Sequence, residues 1–267
     1  MGVPGEQHAA VRGTAPAALA ETELFAVDAY RQEFDTTVVE VDREHGRVRL
    51  RRTAFYPGGG GQPCDTGTLL TPAGTLAVTS VRRDGGPIWH TVADPEVELP
   101  EVGTEVQGRI DWTRRHALMR THTALHVLCG VIWADYGIPV TGGNMEPLQG
   151  RLDFPFESMS VDLGAAVERR INEEIRRAHE IVVDFLPRSA ADADPALIRT
   201  AANLIPREID PLRVIDVVGL DRQADGGTHL LSTAEVGGVR VTKTESKGKG
   251  NKRIRIEVLD HPPAAAG

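Results

Sequence analysis

The chain has 267 residues, of which 40% are hydrophobic and 25% charged, and its formal net charge at pH 7 is −8. These values are ordinary for a globular protein of one large or two modest domains, and no apolar run approaches the roughly 20 residues that a membrane helix needs. Two cysteines, neither of them in a C-x-x-C pair, exclude a disulfide scaffold and a thiolate-rich zinc ribbon, and they favour a reducing, cytoplasmic location. The acidic balance argues against non-specific coating of nucleic acid.

The first part of the chain predicts a disordered extension followed by a small β-barrel. Residues 1–22 are rich in Ala, Gly and Pro without a period, which is typical of disorder. Alternating apolar and polar residues on both sides of His45-Gly46 predict a β-hairpin. Further short strand-like runs follow at 76–81, 88–92 and 105–110. Closely spaced short strands favour an all-β barrel domain over 23–110.

From residue 111 the pattern changes to a mixture of helices and strands. Apolar residues at helical spacing predict helices over 112–133 and 163–181, and a shorter helix is predicted at 195–203. Strands are predicted at 212–218, 230–235, 239–245 and 252–258, of which the last two form a hairpin. We therefore expect an α+β protein in which a small N-terminal β-barrel domain is followed by a mixed α+β domain over 111–259 and a tail over 260–267.

All lysines of this acidic chain lie between residues 243 and 252, in and beside the loop of the last hairpin. A solvated loop is one interpretation of such a charge run. Contact with nucleic-acid phosphates is the other, because the glycines of Ser246-Lys-Gly-Lys-Gly-Asn-Lys-Arg253 let backbone and ammonium groups approach a phosphate closely.

Two pairs of residues have a spacing suited to a metal ion. His122 and His126 are four residues apart on a predicted helix, so both imidazoles lie on one face and can reach one ion. Asp225 and His229 flank a Gly-Gly turn, which lets the chain double back so that both side chains converge. Three neutral imidazoles and one carboxylate suit zinc. The alternative interpretation is a pair of ordinary core histidines and a tight turn with an exposed aspartate.

These segments together resemble the alanyl-tRNA editing proteins, the free-standing relatives of the editing domain of alanyl-tRNA synthetase. The match is carried by the Gly-Gly-Gly-Gln motif within Thr53–Pro63, by His122-Thr-Ala-Leu-His126, and by Gly219–His229 together with the basic segment 246–253. It spans roughly 24–259 in the family's order, and the glycine-rich segment is typical of the longer members.

The resemblance implies that His122, His126 and His229 hold one zinc ion. The family usually has Cys where this chain has Asp225, so either this carboxylate is the fourth ligand or the three histidines act with a water molecule. A carboxylate in place of a thiolate also relaxes the preference for zinc over other divalent transition metals.

The activity implied by the resemblance is hydrolysis of the ester that joins serine or glycine wrongly to alanine tRNA. His122 and His126 would then contribute to catalysis by holding the ion. The hydroxyl of Thr123 is a candidate contact for the amino acid, because recognition of the serine hydroxyl needs a polar partner. The substrate-binding candidates are Gly59, Gly60, Gly61 and Gln62, and the candidates for tRNA phosphates are Lys247, Lys249, Lys252 and Arg253. Two alternatives are an enzyme of altered chemistry on an aminoacyl-tRNA or a small aminoacyl substrate, and a tRNA-binding module without an ion.

Overall fold

The computed structural model describes residues 10–12, 15–93, 97–156, 162–194, 197, 199, 207, 209–246, 248 and 250–263. They form two compact units: the first contains residues 15–59 and 63–115, and the second contains residues 60–62 and the chain from 116 onward. The domain boundary was expected at 110–111, five residues before the first unit ends at Arg115. Within the described ranges, no helix is both long enough and apolar enough to cross a lipid bilayer.

The first unit is an antiparallel barrel closed by six of the described strands. These are β2 Glu33–Asp42, β3 Arg47–Leu50, β4 Gly67–Thr71, β5 Gly74–Arg83, β6 Ile88–Val92 and β7 Glu105–Ile110, in the order β2-β3-β6-β5-β4-β7. Val48, Leu50 and Val78 are among the alternate residues buried inside, because successive side chains of a strand point to opposite faces. The β-barrel and the hairpin around His45-Gly46 are confirmed.

Part of the stretch that was expected to be disordered has regular structure. Ala10–Arg12 is a short strand, β1, and Ala17–Thr22 is a short helix, α1. Leu19 packs against the barrel core, and the N–H of Thr53 donates to the carbonyl of the last helical residue. The expectation of disorder over 1–22 therefore does not hold for these two elements. Strand β1 is hydrogen-bonded into a sheet, and one leucine and backbone hydrogen bonds anchor α1.

The second unit combines two four-stranded sheets with helices in its described part. One sheet has the order β13-β14-β9-β8 and contains β8 Gly142–Glu146, β9 Gln149–Phe154, β13 Gly238–Ser246 and β14 Lys252–Leu259. The other has the order β1-β10-β11-β12 and contains β10 Ile181–Leu186, β11 Leu212–Val217 and β12 Asp221–Ala224. The helices are α2 Trp112–Tyr136, α3 Leu163–Arg176 and α4 Arg188–Asp192. The α+β class and the hairpin β13–β14 are confirmed.

Helix α2 is buried on every side along its middle. The sequence predicted a stripe of apolar residues, but every residue from Thr121 to Ile132 is buried. The polar side chains in this stretch therefore lie in the core of the second unit. A buried polar group is costly unless it is hydrogen-bonded, so His122, Thr123 and His126 each require a partner.

Two elements of the second unit differ from the prediction. Helix α3 ends at Arg176 rather than 181, because Ala178 adopts a left-handed φ of 54° and the β-branched run that follows begins strand β10. The strand predicted at 230–235 is wrong. Thr233–Val236 is a 3-10 turn, and its start is capped reciprocally by the side chains of Ser232 and Glu235, whose spacing is that of a capping box.

Besides β1, four strands of the second unit were not predicted, namely β8, β9, β10 and β12. The first two are short and contain glycines, which weaken the alternating pattern that signals a strand. The helix predicted at 195–203 lies almost entirely outside the described residues.

Candidate metal centre

Four side chains of the second unit converge on one point. His122, His126, Asp225 and His229 each offer a ligand atom, and these atoms all lie within 4.8 Å of one another. Helix α2 supplies the first two residues one turn apart, and the loop after β12 supplies the other two. The ring centroid of His229 is 4.2 Å from that of His122 and 4.7 Å from that of His126. The two pairs recognised in the sequence therefore meet in space.

Gly227 permits the loop to approach the helix. A Cβ atom at this position would lie 2.4 Å from Cε1 of His122 and 2.7 Å from Oε1 of Gln62, far inside van der Waals contact. Its N–H donates to Oδ1 of Asp225 at 2.6 Å and so fixes the carboxylate. The Gly-Gly pair was expected to allow a reversal of the chain, but the structure shows that the absence of a side chain at Gly227 is what matters here.

The imidazole of His122 is held through its Nδ1 atom. Nδ1 lies 2.9 Å from Oε1 of Gln62, and that amide also bonds to the backbone N–H and the hydroxyl of Thr228. An amide oxygen accepts hydrogen bonds, so Nδ1 carries the proton and the lone pair of Nε2 faces Asp225, whose Oδ2 is 3.5 Å away. Gln62 is buried and orients a candidate ligand, a role that was not predicted; its contact with substrate stays a prediction.

His229 is held in a comparable way. Its Nδ1 lies 3.5 Å from the hydroxyl of Thr123, which also accepts the N–H of Leu230, and its Nε2 lies 3.1 Å from Oδ1 of Asp225. The side chain of Thr123 is fully buried. The structure thus places Thr123 beside a candidate ligand, and its predicted contact with the amino acid of the substrate stays a prediction.

His126 has a charged partner. Its Nδ1 lies 2.8 Å from Oδ2 of Asp221, a buried carboxylate that also bonds to Arg199 and Gln223. Sequence reasoning missed Asp221 and Arg199. No local pattern marks Asp221, because its histidine partner is 95 residues away along the chain.

Burial decides the charge state of two of the four residues of the cluster. It lowers the pKa of His122 to about 4 and holds the pKa of His229 well below its ordinary value, so both rings are neutral at pH 7. Burial would raise the pKa of Asp225, but the neighbouring imidazoles, His122 foremost and then His229, outweigh it and hold that pKa well below the usual value. At His126 burial opposes the charged form, and Asp221 outweighs it and raises the pKa.

This donor set fits a divalent transition metal. Imidazole nitrogens and a carboxylate oxygen are ligands of zinc and of neighbouring divalent ions. Ligating histidines in proteins usually donate their second N–H to a carboxylate, a carbonyl or another acceptor, and all three rings have such a partner here. The donors therefore suit a class of divalent transition metals, and zinc is one member of that class.

The glycine segment is a bend that leads to Gln62. Gly59, Gly60 and Gly61 have φ angles of 136°, 57° and 90°, a region that side-chain-bearing residues rarely adopt. Gly60 is close to the cluster, since a Cβ there would lie 3.8 Å from Oδ2 of Asp225. The contacts of these three glycines with substrate stay predictions.

The basic residues of the last hairpin differ in their partners. Lys247 and Lys249 lie outside the described residues. Lys252 donates to the hydroxyl of Ser246 at 2.9 Å. Arg253 makes two hydrogen bonds to Asp153, at 2.7 and 2.8 Å. The tRNA contacts of these four residues stay predictions.

Cys129 lies next to this network as a buried hydrophobic residue. The amide of Gln223 donates to its sulfur at 3.3 Å, and burial raises the pKa of its thiol, so the thiolate that would bind a metal is disfavoured. This agrees with the structural role expected for it.

Two stretches of the chain match known protein families. Residues 17–114 match the family described as tRNA synthetases class II (A), and residues 212–255 match the second additional domain of threonyl and alanyl tRNA synthetase. The second match covers the strands on either side of Asp225 and His229.

Individual relatives cover most of the chain. The alanyl-tRNA editing protein AlaX-M of Saccharolobus solfataricus is 39% identical over 238 residues, which are 88% of this chain and 98% of that protein. The AlaX-M protein of Methanosarcina mazei is 36% identical over 89% of this chain and 96% of its own length. The alanine–tRNA ligase of Pyrococcus furiosus is 36% identical over 86% of this chain, but the match covers only 25% of the ligase. The chain therefore belongs to the AlaX-M family of alanyl-tRNA editing proteins.

Proposed function

We propose that the protein hydrolyses the ester bond of tRNA that carries the wrong amino acid. Its proposed substrates are alanine tRNAs charged with serine or glycine. Its proposed cofactor is a divalent ion, with zinc as the first candidate. One observation carries the proposal: His122, His126, Asp225 and His229 meet within 4.8 Å in a member of an editing family. The names of the AlaX-M relatives describe alanyl-tRNA editing, and this activity is extended here to the present chain.

The chemistry of the substrate suits such a centre. An aminoacyl ester is already activated, so its hydrolysis needs only moderate polarisation of the carbonyl and a positioned water molecule. A bound divalent ion supplies a Lewis acid and lowers the pKa of a water ligand. The chain's part is to hold three imidazoles and an ionised carboxylate in fixed positions, which Gln62 and the N–H of Gly227 support.

Asp225 is the donor that sets this chain apart from the pattern that the family usually shows. The N–H of Gly227 donates to Oδ1, and Oδ2 faces His122 at 3.5 Å, so both oxygens of this carboxylate lie among the other donors. A carboxylate donates less electron density than a thiolate, which leaves the ion a stronger Lewis acid.

The test measures deacylation and metal content in the same preparations. Alanine tRNA charged with serine, glycine or alanine is incubated with the wild type, Asp225→Ala and Asp225→Cys. We expect one ion per wild-type chain, release of serine or glycine but not of alanine, at least a tenfold loss of both ion affinity and rate in Asp225→Ala, and recovery in Asp225→Cys.

Three results would change the proposal. Full ion content and full rate in Asp225→Ala would remove this residue from the ligand set. A wild-type protein that holds its ion but releases none of the three amino acids would favour altered chemistry on the same scaffold, for which the carboxylate at Asp225 is the motivating observation. A wild-type protein that binds tRNA without holding an ion would favour a binding module.

A further inference from the structure

Asp221 is a buried carboxylate that contacts a candidate metal ligand without belonging to the ligand group. It is the first residue of β12, and its side chain is fully buried. Oδ2 lies 2.8 Å from Nδ1 of His126 and accepts the amide N–H of Gln223 at 2.6 Å, while Oδ1 lies 2.5 Å from Nη1 of Arg199. An unpaired carboxylate at this depth would be strongly disfavoured, so these three bonds account for its presence.

Asp221 contacts only one of the two ring nitrogens of His126. Its carboxylate lies against Nδ1, so Nε2 is the nitrogen that can join the ligand group formed with His122, Asp225 and His229. An acceptor at Nδ1 keeps the proton on that nitrogen and leaves the lone pair on Nε2. It also restricts rotation of the ring about its bond to Cβ.

Arg199 ties this carboxylate back to the helix that carries the histidine. Its guanidinium carbon lies 5.1 Å from the ring centroid of Trp133, within the range of a cation–π contact. His126 and Trp133 are seven residues apart on α2, about two turns, and so project from the same side of the helix. The contacts thus form a closed loop that begins and ends on helix α2: they run from His126 to Asp221, then to Arg199, and back to Trp133.

The positive charge of Arg199 has a second effect. It compensates the charge of Asp221 on the oxygen that does not face the imidazole, so the carboxylate remains a hydrogen-bond acceptor without depending on His126 for its counter-charge. The amide of Gln223 donates a further hydrogen bond to Oδ2. Oδ1 therefore accepts from Arg199, while Oδ2 faces His126 and accepts from Gln223.

The geometry points to Asp221, held by Arg199, as a positioning residue that orients His126 toward the bound ion and strengthens it as a ligand. This inference rests on the proposed function, because it concerns the same ion, and it adds a residue pair that acts through a ligand rather than on the substrate. Partners of this kind typically change metal affinity 10- to 100-fold when they are removed.

The experiment compares Asp221→Ala, Asp221→Asn and Arg199→Lys with the wild type. Asp184→Asn is the matched control, since Asp184 is a carboxylate of the same sheet that pairs with Arg222 at 3.2 Å, away from the ligand group. Zinc affinity is measured by competition with a chromophoric chelator, and the visible spectrum of the cobalt(II)-substituted protein reports ligand geometry. Urea unfolding of each ion-free variant gives its stability separately.

We expect zinc affinity to fall 10- to 100-fold in Asp221→Ala and by less in Asp221→Asn, whose amide oxygen still accepts the N–H of His126. Arg199→Lys keeps the charge but not the planar stacking contact, and we expect a smaller loss of affinity. The cobalt spectrum changes in both Asp221 variants and stays unchanged in the control. If Asp221→Ala does not fold, the affinity and spectrum of Asp221→Asn decide.

Folded Asp221 variants with wild-type zinc affinity and an unchanged cobalt spectrum would overturn the inference, even if their ion-free stability is reduced, because a purely structural role predicts that combination. This failure differs from a failure of the proposed function. In that case the wild type itself would bind no ion or would release no amino acid from mischarged tRNA.

Discussion

Replacing Gly227 by alanine tests the closest approach in the metal centre. The added Cβ would lie 2.4 Å from Cε1 of His122, whereas carbon atoms pack best at about 3.5–4.0 Å, so the ring or the loop must move by about 1 Å. Overpacking of this kind costs about 1–3 kcal/mol of folding free energy. A candidate ligand displaced by about 1 Å is also outside the tolerance of roughly 0.5 Å that a functional site allows.

Gly226→Ala provides the matched control. No atom lies within 4 Å of a Cβ built at Gly226, and neither glycine has a left-handed φ, so alanine is acceptable to the backbone at both positions. We expect Gly226→Ala to retain its ion and to be unchanged or stabilised by up to about 1 kcal/mol, because alanine has less conformational freedom in the unfolded chain. We expect Gly227→Ala to lose about 1–3 kcal/mol of stability and at least tenfold in zinc affinity.

The measurements are urea unfolding of the ion-free proteins and zinc competition with a chelator. Both are made on the two variants and the wild type in parallel. If Gly227→Ala matches Gly226→Ala in stability and in zinc affinity, then the close contact with His122 is not needed for the site, and the reasoning from its geometry fails.

Two further predictions concern the barrel and the basic hairpin. Burial lowers the pKa of His90 to about 4, whereas the unfolded value is about 6.5, so the unfolded chain takes up the proton first and stability falls as pH drops through this window. At pH 5 this effect lowers the free energy of unfolding by about 2 kcal/mol. Urea unfolding at pH 7 and pH 5 should show that His90→Gln lacks this loss. Equal pH dependence of stability in the wild type and the variant would contradict the prediction. Lys249→Glu combined with Lys252→Glu should weaken tRNA binding and reduce the slope of log affinity against log salt by about 1.5, and an unchanged slope would support the solvated-loop interpretation.

The sequence predicts those parts of this structure that depend on local periodicity. The hairpin around Gly46, helix α2 and strands β11, β13 and β14 follow from alternation or helical spacing and are found within a few residues of their expected ends. The strand expected at 230–235 is not formed, because the Ser232 and Glu235 side chains cap the start of a 3-10 turn in this stretch.

The candidate metal ligands were predictable for a similar reason. His122 and His126 are one helical turn apart, and Asp225 and His229 flank a short turn, so each pair is visible in a few residues of sequence. Their supporting contacts were not visible. Gln62 is 60 residues from its partner His122, and such pairs are set by tertiary packing, which no local pattern records.

The same distinction applies to Gly227. In the sequence, this glycine indicates backbone freedom in a turn. In the structure, a side chain is excluded at Gly227 by the ring of His122, which lies more than one hundred positions earlier in the chain. Only the folded structure brings these two residues together.

The burial of the middle of helix α2 has a consequence for how the protein responds to metal supply. Two of the four donors belong to the central helix of the second unit, so apolar packing places them before any ion arrives. In small zinc domains, by contrast, the ion itself drives folding. An ion-free form of this protein is therefore expected to remain folded, and its candidate site can be filled again without new synthesis.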